Sequence, residues 1–189
     1  MEKVAVYCGA APGNHQVYKT AAEETGHWLV DHDLTLVYGG GRMGLMGLLA
    51  ETVLADHGQV HGIITQELAD RGTGAADLTE LTVVPDMAAR KVAMLTQADG
   101  CLALPGGPGT LEEISEAFSW ALIGDNETPC VFYNVAHFYD PLETMYDQMV
   151  ATGFLTASGR DKLLFATSLE EAWTFMKTYT PPAIRTYSH

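Results

Sequence analysis

The sequence predicts an α/β fold, a single doubly wound parallel sheet of about seven strands with helices on both faces. Two observations carry this expectation. Short runs that are apolar throughout alternate with longer segments of helical periodicity, and strands buried on both faces read in this way. Glycine-rich segments follow directly on several of these runs, where strand hands over to helix. The chain has 189 residues, 47% hydrophobic and 18% charged, enough for one sizeable core.

The elements follow in order along the chain. Residues 4–8 form the first strand, and Asn14 is placed to cap a helix running to about His32. Residues 34–38 are the second strand, and the turn 39–42 leads into an apolar helix over 43–56. The third strand is 60–64, and the polar, glycine-containing stretch 67–77 reads as a loop. A fourth strand at 80–84 precedes a helix from Met87 to about Ala98. The fifth strand, 101–104, precedes a helix over 111–123. The sixth is 130–134, after which Asp140-Pro141 opens a helix reaching about Thr152. A last strand at 163–166 is followed by a helix from Leu169 to about Thr178. Residues 1–178 thus read as one Rossmann-like nucleotide-binding domain. The tail, 179–189, carries two prolines and is expected to fray.

Charge and cysteine usage narrow the function. A net charge of −14 counts against a nucleic-acid polymer or an anionic membrane as partner. Cys8, Cys101 and Cys130 are far apart and odd in number, as expected of reduced core thiols in a cytoplasmic protein. No apolar stretch has membrane-spanning length, and the first residues run into a strand without a signal-peptide pattern. None of the seven histidines stands in a metal-ligating spacing, so no metal and no cofactor is expected.

The chemistry concentrates in Pro105-Gly106-Gly107-Pro108-Gly109-Thr110, which joins the fifth strand to its helix. Strand, glycine turn and helix aim free backbone N–H groups at an anion. Thr110 is a candidate cap and hydroxyl donor. Glu113 lies one turn further on. An acidic early turn also suits the helix dipole of any βα turn, but a carboxylate beside a phosphate seat has no use in binding alone. Two further segments follow strands: Gly9-Ala10-Ala11-Pro12-Gly13, and Gly39-Gly40-Gly41 entering a helix. No acidic residue closes the strand after Gly39–Gly41 and no P-loop lysine follows, so neither a dinucleotide site nor a P-loop is complete. That turn either seats a phosphate or lets a sugar lie close. Arg90 and Lys91 sit together early in a helix, in a chain with ten basic residues. Parallel sheets bind ligands outside the carboxyl ends of their strands, where these four segments can meet.

These residues resemble the LOG (Lonely guy) family, the cytokinin riboside 5′-monophosphate phosphoribohydrolases, often mislabelled lysine decarboxylases. The hallmark P-G-G-x-G-T-x-x-E matches residues 105–113 without a gap, and M-x-x-R-K matches Met87 to Lys91. Cys8-Gly9-Ala10 matches the early C-G-[SA] loop, and residues 39–47 match G-G-G-x-x-G-L-M-G. The resemblance spans roughly residues 3–170. Two positions depart: Ala88 stands where histidine is common, and Leu122 where glutamine is often found.

The resemblance implies hydrolysis of the N-glycosidic bond of adenosine-type 5′-monophosphates, N6-substituted or plain, to free base and ribose 5-phosphate. Arg90 and Glu113 are then the catalytic pair. Gly9, Ala10, Gly40, Gly41, Met87, Lys91, Pro105, Gly106, Gly107, Gly109 and Thr110 join them in holding substrate. The family also implies a homodimer, with an apolar helix such as 111–123 packing across a two-fold axis. Lys91 has no partner constellation for pyridoxal phosphate, which argues against a decarboxylase. The competing reading is a nucleotide-binding or sensing module that kept the fold and lost the chemistry.

Overall fold

The computed structural model describes residues 1–183. Seven strands, all parallel, form one sheet: β1 (Lys3–Tyr7), β2 (Thr35–Tyr38), β3 (Val60–Thr65), β4 (Glu80–Val84), β5 (Gly100–Ala103), β6 (Cys130–Tyr133) and β7 (Leu163–Ala166). Their spatial order is β4-β3-β2-β1-β5-β6-β7. The chain therefore winds outward from β1 to one edge, returns across the sheet, and winds outward to the other edge. The order reverses between β1 and β5, which is where such sheets open a ligand crevice.

Alternate residues of each strand face opposite layers. Val4, Val6 and Leu36 meet α1 (Gln16–Asp31), α2 (Gly44–Ala55) and α8 (Leu169–Thr178). Ala5, Tyr7 and Val37 meet α4 (Met87–Thr96), α5 (Pro108–Ile123) and α6 (Asp140–Ala151) on the other face. Helices on both faces are the arrangement the continuous apolar runs require. The strand β4 differs. It lies at the edge, and Leu81 and Val83 are 43% and 46% exposed, so its apolar run marks a face the monomer leaves uncovered.

Several local expectations change. The N-cap of α1 is His15, without a side-chain bond, rather than Asn14. The stretch read as a loop after β3 starts with a short helix, α3 (Gln66–Asp70), capped by Thr65, whose Oγ1 accepts from the Leu68 amide at 3.3 Å. A second short helix, α7 (Ala157–Arg160), precedes β7. The helix α5 begins at Pro108, not Leu111, with Gly107 at the N-cap. Proline suits that first turn, because its φ is already helical and its missing N–H would have no partner. Thr110 is therefore inside the helix and does not cap it. At the C-terminal end Tyr179 packs on Phe175, and Thr180 accepts from Lys162 Nζ at 2.9 Å. The rest of the expected frayed tail, 184–189, lies outside the described residues.

Candidate active site

A cavity of about 730 Å³ opens at the carboxyl edge of the sheet, over the reversal between β1 and β5. Four strand-following segments reach it. After β1 come Cys8, Gly9 and Ala10; after β2, Gly39, Gly41 and Met43; from α4, Met87 and Arg90; after β5, residues 105–110 and Glu113. Of the sequence-predicted site residues, Gly40 and Lys91 do not face it.

The mouth of α5 keeps its donors free. The amides of Gly109 and Thr110 lie in the first turn, where a helix offers no internal acceptor, and no other backbone acceptor meets them among the described residues. A Cβ at Gly107 or at Gly109 would meet no protein atom within 4 Å. Gly107 has φ −91°, which any residue adopts. Packing therefore does not demand glycine at either position, and both leave the backbone open to close approach from the cavity. Gly106 is different: its Cβ would stand 2.7 Å from Thr110 Cβ and 3.0 Å from the Gly9 amide. There the bare backbone lets the first and fourth segments touch, and Gly9 N donates to Pro105 O at 3.2 Å.

The mouth of α2 is closed by comparison. The Leu45 and Met46 amides both donate to Gly9 O, at 2.9 and 3.4 Å. With those two amides occupied, the mouth of α2 offers a phosphate fewer donors than the mouth of α5, and beside Gly39 it is a side chain that comes close to the backbone. The guanidinium of Arg90 makes that approach, lying against Gly39.

Arg90 and Glu113 meet inside the cavity, with Nη2 and Oε1 3.6 Å apart. Asp86 sets the phase of α4: its Oδ1 accepts from the Ala89 amide at 2.8 Å and its carbonyl from the Arg90 amide at 3.0 Å. Arg90 is 7% exposed. Its Nη1 reaches only Met87 Sδ, at 3.5 Å, and Nε has no partner among the described residues. A buried guanidinium with donors to spare is costly unless an anion completes its shell. Burial pushes the Glu113 carboxyl above its ordinary value, with Arg90 opposing. The same burial, with Glu113 nearby, pushes the Cys8 thiol far up, so Cys8 is a neutral wall and not a nucleophile.

The remaining walls are largely apolar: Met43, Leu45, Met46, Ile64, Leu68 and Phe138. The sequence reading missed Ile64, Leu68, Thr73, Tyr18 and Phe138. Tyr18 and Phe138 stack edge to face at 5.8 Å, bringing α1 to the turn before α6. Leu68 and Thr73 arrive because the segment after α3 is tied to the glycine turn. Arg42 N donates to Thr73 O at 3.0 Å and Ala75 N to Gly40 O at 2.9 Å. Gly74, bridged to Gly41, is the glycine that marks that close approach.

Comparison with known proteins agrees with these motifs. A family model described as "possible lysine decarboxylase" matches residues 46–176. A probable cytokinin riboside 5′-monophosphate phosphoribohydrolase of Oryza sativa subsp. japonica is 39% identical over 178 residues, which is 94% of this chain and 80% of that protein. An Arabidopsis thaliana cytokinin riboside 5′-monophosphate phosphoribohydrolase is 37% identical over 95% of this chain and 84% of its own.

The chain belongs to the LOG family.

Among solved structures, the molybdenum cofactor carrier protein of Chlamydomonas reinhardtii superposes with a TM-score of 0.70 at 17% identity, covering 93% of this chain and 95% of that one. That likeness concerns the fold alone. The decarboxylase description does not fit this LOG-family site. A Schiff-base lysine must lose its proton. Lys91 instead lies outside the cavity, with Nζ 2.8 Å from Glu112 and 3.0 Å from Glu116, and those carboxylates raise its pKa. No group of three His, Cys, Asp or Glu side chains is placed to hold a metal ion among the described residues. Neither LOG-pattern departure lines the cavity: Ala88 is exposed beside Met87, and Leu122 packs with the core beneath α4 to α6.

Proposed function

We propose that this LOG-family chain is a phosphoribohydrolase acting on adenosine-type nucleoside 5′-monophosphates, including N6-substituted ones. The observation that supports this best is the buried Arg90–Glu113 pair beside the open amides of α5. The 5′-phosphate sits on the Gly106, Gly107, Gly109 and Thr110 amides, with Pro105, Gly9, Ala10 and Gly41 as walls. Glu113 faces the ribose. As the C1′–N9 bond breaks, positive charge develops at C1′, and the carboxylate stabilises it. Water adds to C1′ and its proton passes to Glu113. Burial makes this carboxylate a stronger base than an exposed one, while Arg90 opposes the rise. The base leaves with the bonding electron pair and takes up one proton, giving free base and ribose 5-phosphate. Arg90, permanently charged, stabilises the departing base or the phosphate and is not the proton donor.

The cavity tolerates an apolar N6 substituent for a physical reason. Beyond Glu113, Thr110, Thr73 and Tyr18, no lining side chain offers an oxygen to accept from an exocyclic amine. A homodimer is part of the proposal, and Leu81, Val83, Val92 and Leu111, all at least 40% exposed, supply apolar surface for it. The three free, buried cysteines suit a reducing cytoplasm. No described helix is long and apolar enough to cross a membrane.

The test is free-base release from AMP and from isopentenyladenosine 5′-monophosphate, followed by chromatography, with Glu113→Gln as control. Release by wild type and not by the variant is expected. Tight nucleotide binding with no release from either substrate overturns the hydrolase and leaves the binding module.

A further inference from the structure

Arg90 and Lys91 are adjacent on α4, so their side chains leave the helix about 100° apart. Arg90 enters the cavity. Lys91 crosses to α5 outside it, where its Nζ donates to Glu112 Oε1 at 2.8 Å and to Glu116 Oε1 at 3.0 Å. Those two carboxylates flank Glu113 on the same helix, one residue before it and three after, so α5 presents three carboxylates within five residues. Like charges at this spacing oppose one another. The Lys91 side chain is 17% exposed, against 59% for Glu112 and 30% for Glu116, so water screens these charges in part and Lys91 supplies the rest of the compensation.

We propose that Lys91 is a positioning residue for the reaction, cancelling the charge of Glu112 and Glu116 so that Glu113 works as a carboxylate, and that it does not touch the substrate. The proposal rests on the role given to Glu113 above. The charged and titratable groups facing Glu113 are few. Arg90 and Lys91 come from α4, Glu112 and Glu116 from α5 itself, and Tyr7 and Cys8 from the end of β1. Burial keeps the Tyr7 hydroxyl and the Cys8 thiol protonated, so both stay neutral. The balance at Glu113 is thus two cations against two carboxylates. Taking Lys91 away leaves Arg90 alone against both.

The experiment is the pH profile of kcat/KM for Lys91→Met, Lys91→Arg and the triple variant Lys91→Met/Glu112→Gln/Glu116→Gln. In Lys91→Met the acid limb moves up by about half a unit or more, with KM little changed. Lys91→Arg restores the wild-type limb. The triple variant restores it too, because it removes the carboxylates along with the cation. A limb that stays in place in Lys91→Met, with KM raised several-fold and no rescue in the triple variant, makes Lys91 a substrate ligand and overturns the proposal. The same comparison is available without turnover. With 13C-labelled glutamate, and the Glu113 signal assigned through Glu113→Gln, its NMR titration midpoint rises in Lys91→Met and returns in the triple variant. That readout separates failure of this proposal from failure of the hydrolase reading.

Discussion

The Arg90 guanidinium occupies the space beside Gly39: a methyl group on Gly39 would stand 2.9 Å from Arg90 Cζ and closer still to Nη2. The glycine after β2 thus makes room for a buried cation delivered by α4. Gly39→Ala is expected to leave the sheet intact, since β2 ends at Tyr38, but to push Arg90 away from Glu113. Losing a donor aimed at the transition state costs about 3 kcal/mol, so kcat/KM falls on the order of 100-fold. Melting temperature and base release, measured together, check it. An active, stable alanine variant would show that Arg90 has room to spare.

Gly109→Ala separates ligand binding from folding. A Cβ there meets no protein atom, and alanine is the better helix residue by about 0.5–1 kcal/mol. The variant should therefore be as stable as wild type or more so. Nucleotide affinity should fall about tenfold, because the Cβ enters the space assigned to the phosphate. Calorimetry with AMP and a thermal melt test both signs. Unchanged affinity would move the phosphate away from α5.

Glu113 ties activity to a pH-dependent stability cost. Its carboxyl is raised above 4.5 by burial, with Arg90 acting in the opposite direction. The folded state thus holds this proton more tightly than the unfolded one. The stability that follows is fully present below the ordinary carboxylate value and is lost as pH rises through the raised one. Glu113→Gln has no such proton. The melting temperature of wild type relative to Glu113→Gln should fall as pH rises from the ordinary carboxylate value through the raised one. Parallel melting curves across that range would mean the folded pKa is unshifted.

The fold and the glycine-rich mouth of α5 were legible because their causes are local. Residues 105–110 carry three glycines and two prolines in one continuous stretch just before a helical pattern, and backbone amides at a helix mouth need nothing distant to aim them. Lys91 was not legible. It differs from Arg90 by one position, and only the phase of α4 against α5 decides which cation enters the cavity and which meets Glu112 and Glu116. Leu68 and Thr73 were not legible either, because the backbone that ties their segment down is Gly40 to Arg42, about thirty residues earlier. The uncovered face of β4 depended on its place at the sheet edge, which composition does not reveal.

Gly44→Ala should behave oppositely to Gly109→Ala. Gly44 has φ +65°, and its Cβ would press on backbone, standing 2.6 Å from the Ala11 amide and nearer still to the Ala10 carbonyl. Neither neighbour is a side chain able to swing aside. A left-handed φ alone costs a non-glycine residue about 1–2 kcal/mol, and the collision adds to it. Gly9 O also accepts from Leu45 and Met46 just beyond, so moving α2 away breaks the bonds that fix the first loop. The variant should lose at least about 2 kcal/mol of stability. What remains folded should bind nucleotide weakly, because Gly9 and Ala10 line the cavity. Urea unfolding with AMP titration distinguishes the outcomes. A stable variant with full affinity would mean that the first loop and α2 can separate without disturbing the site.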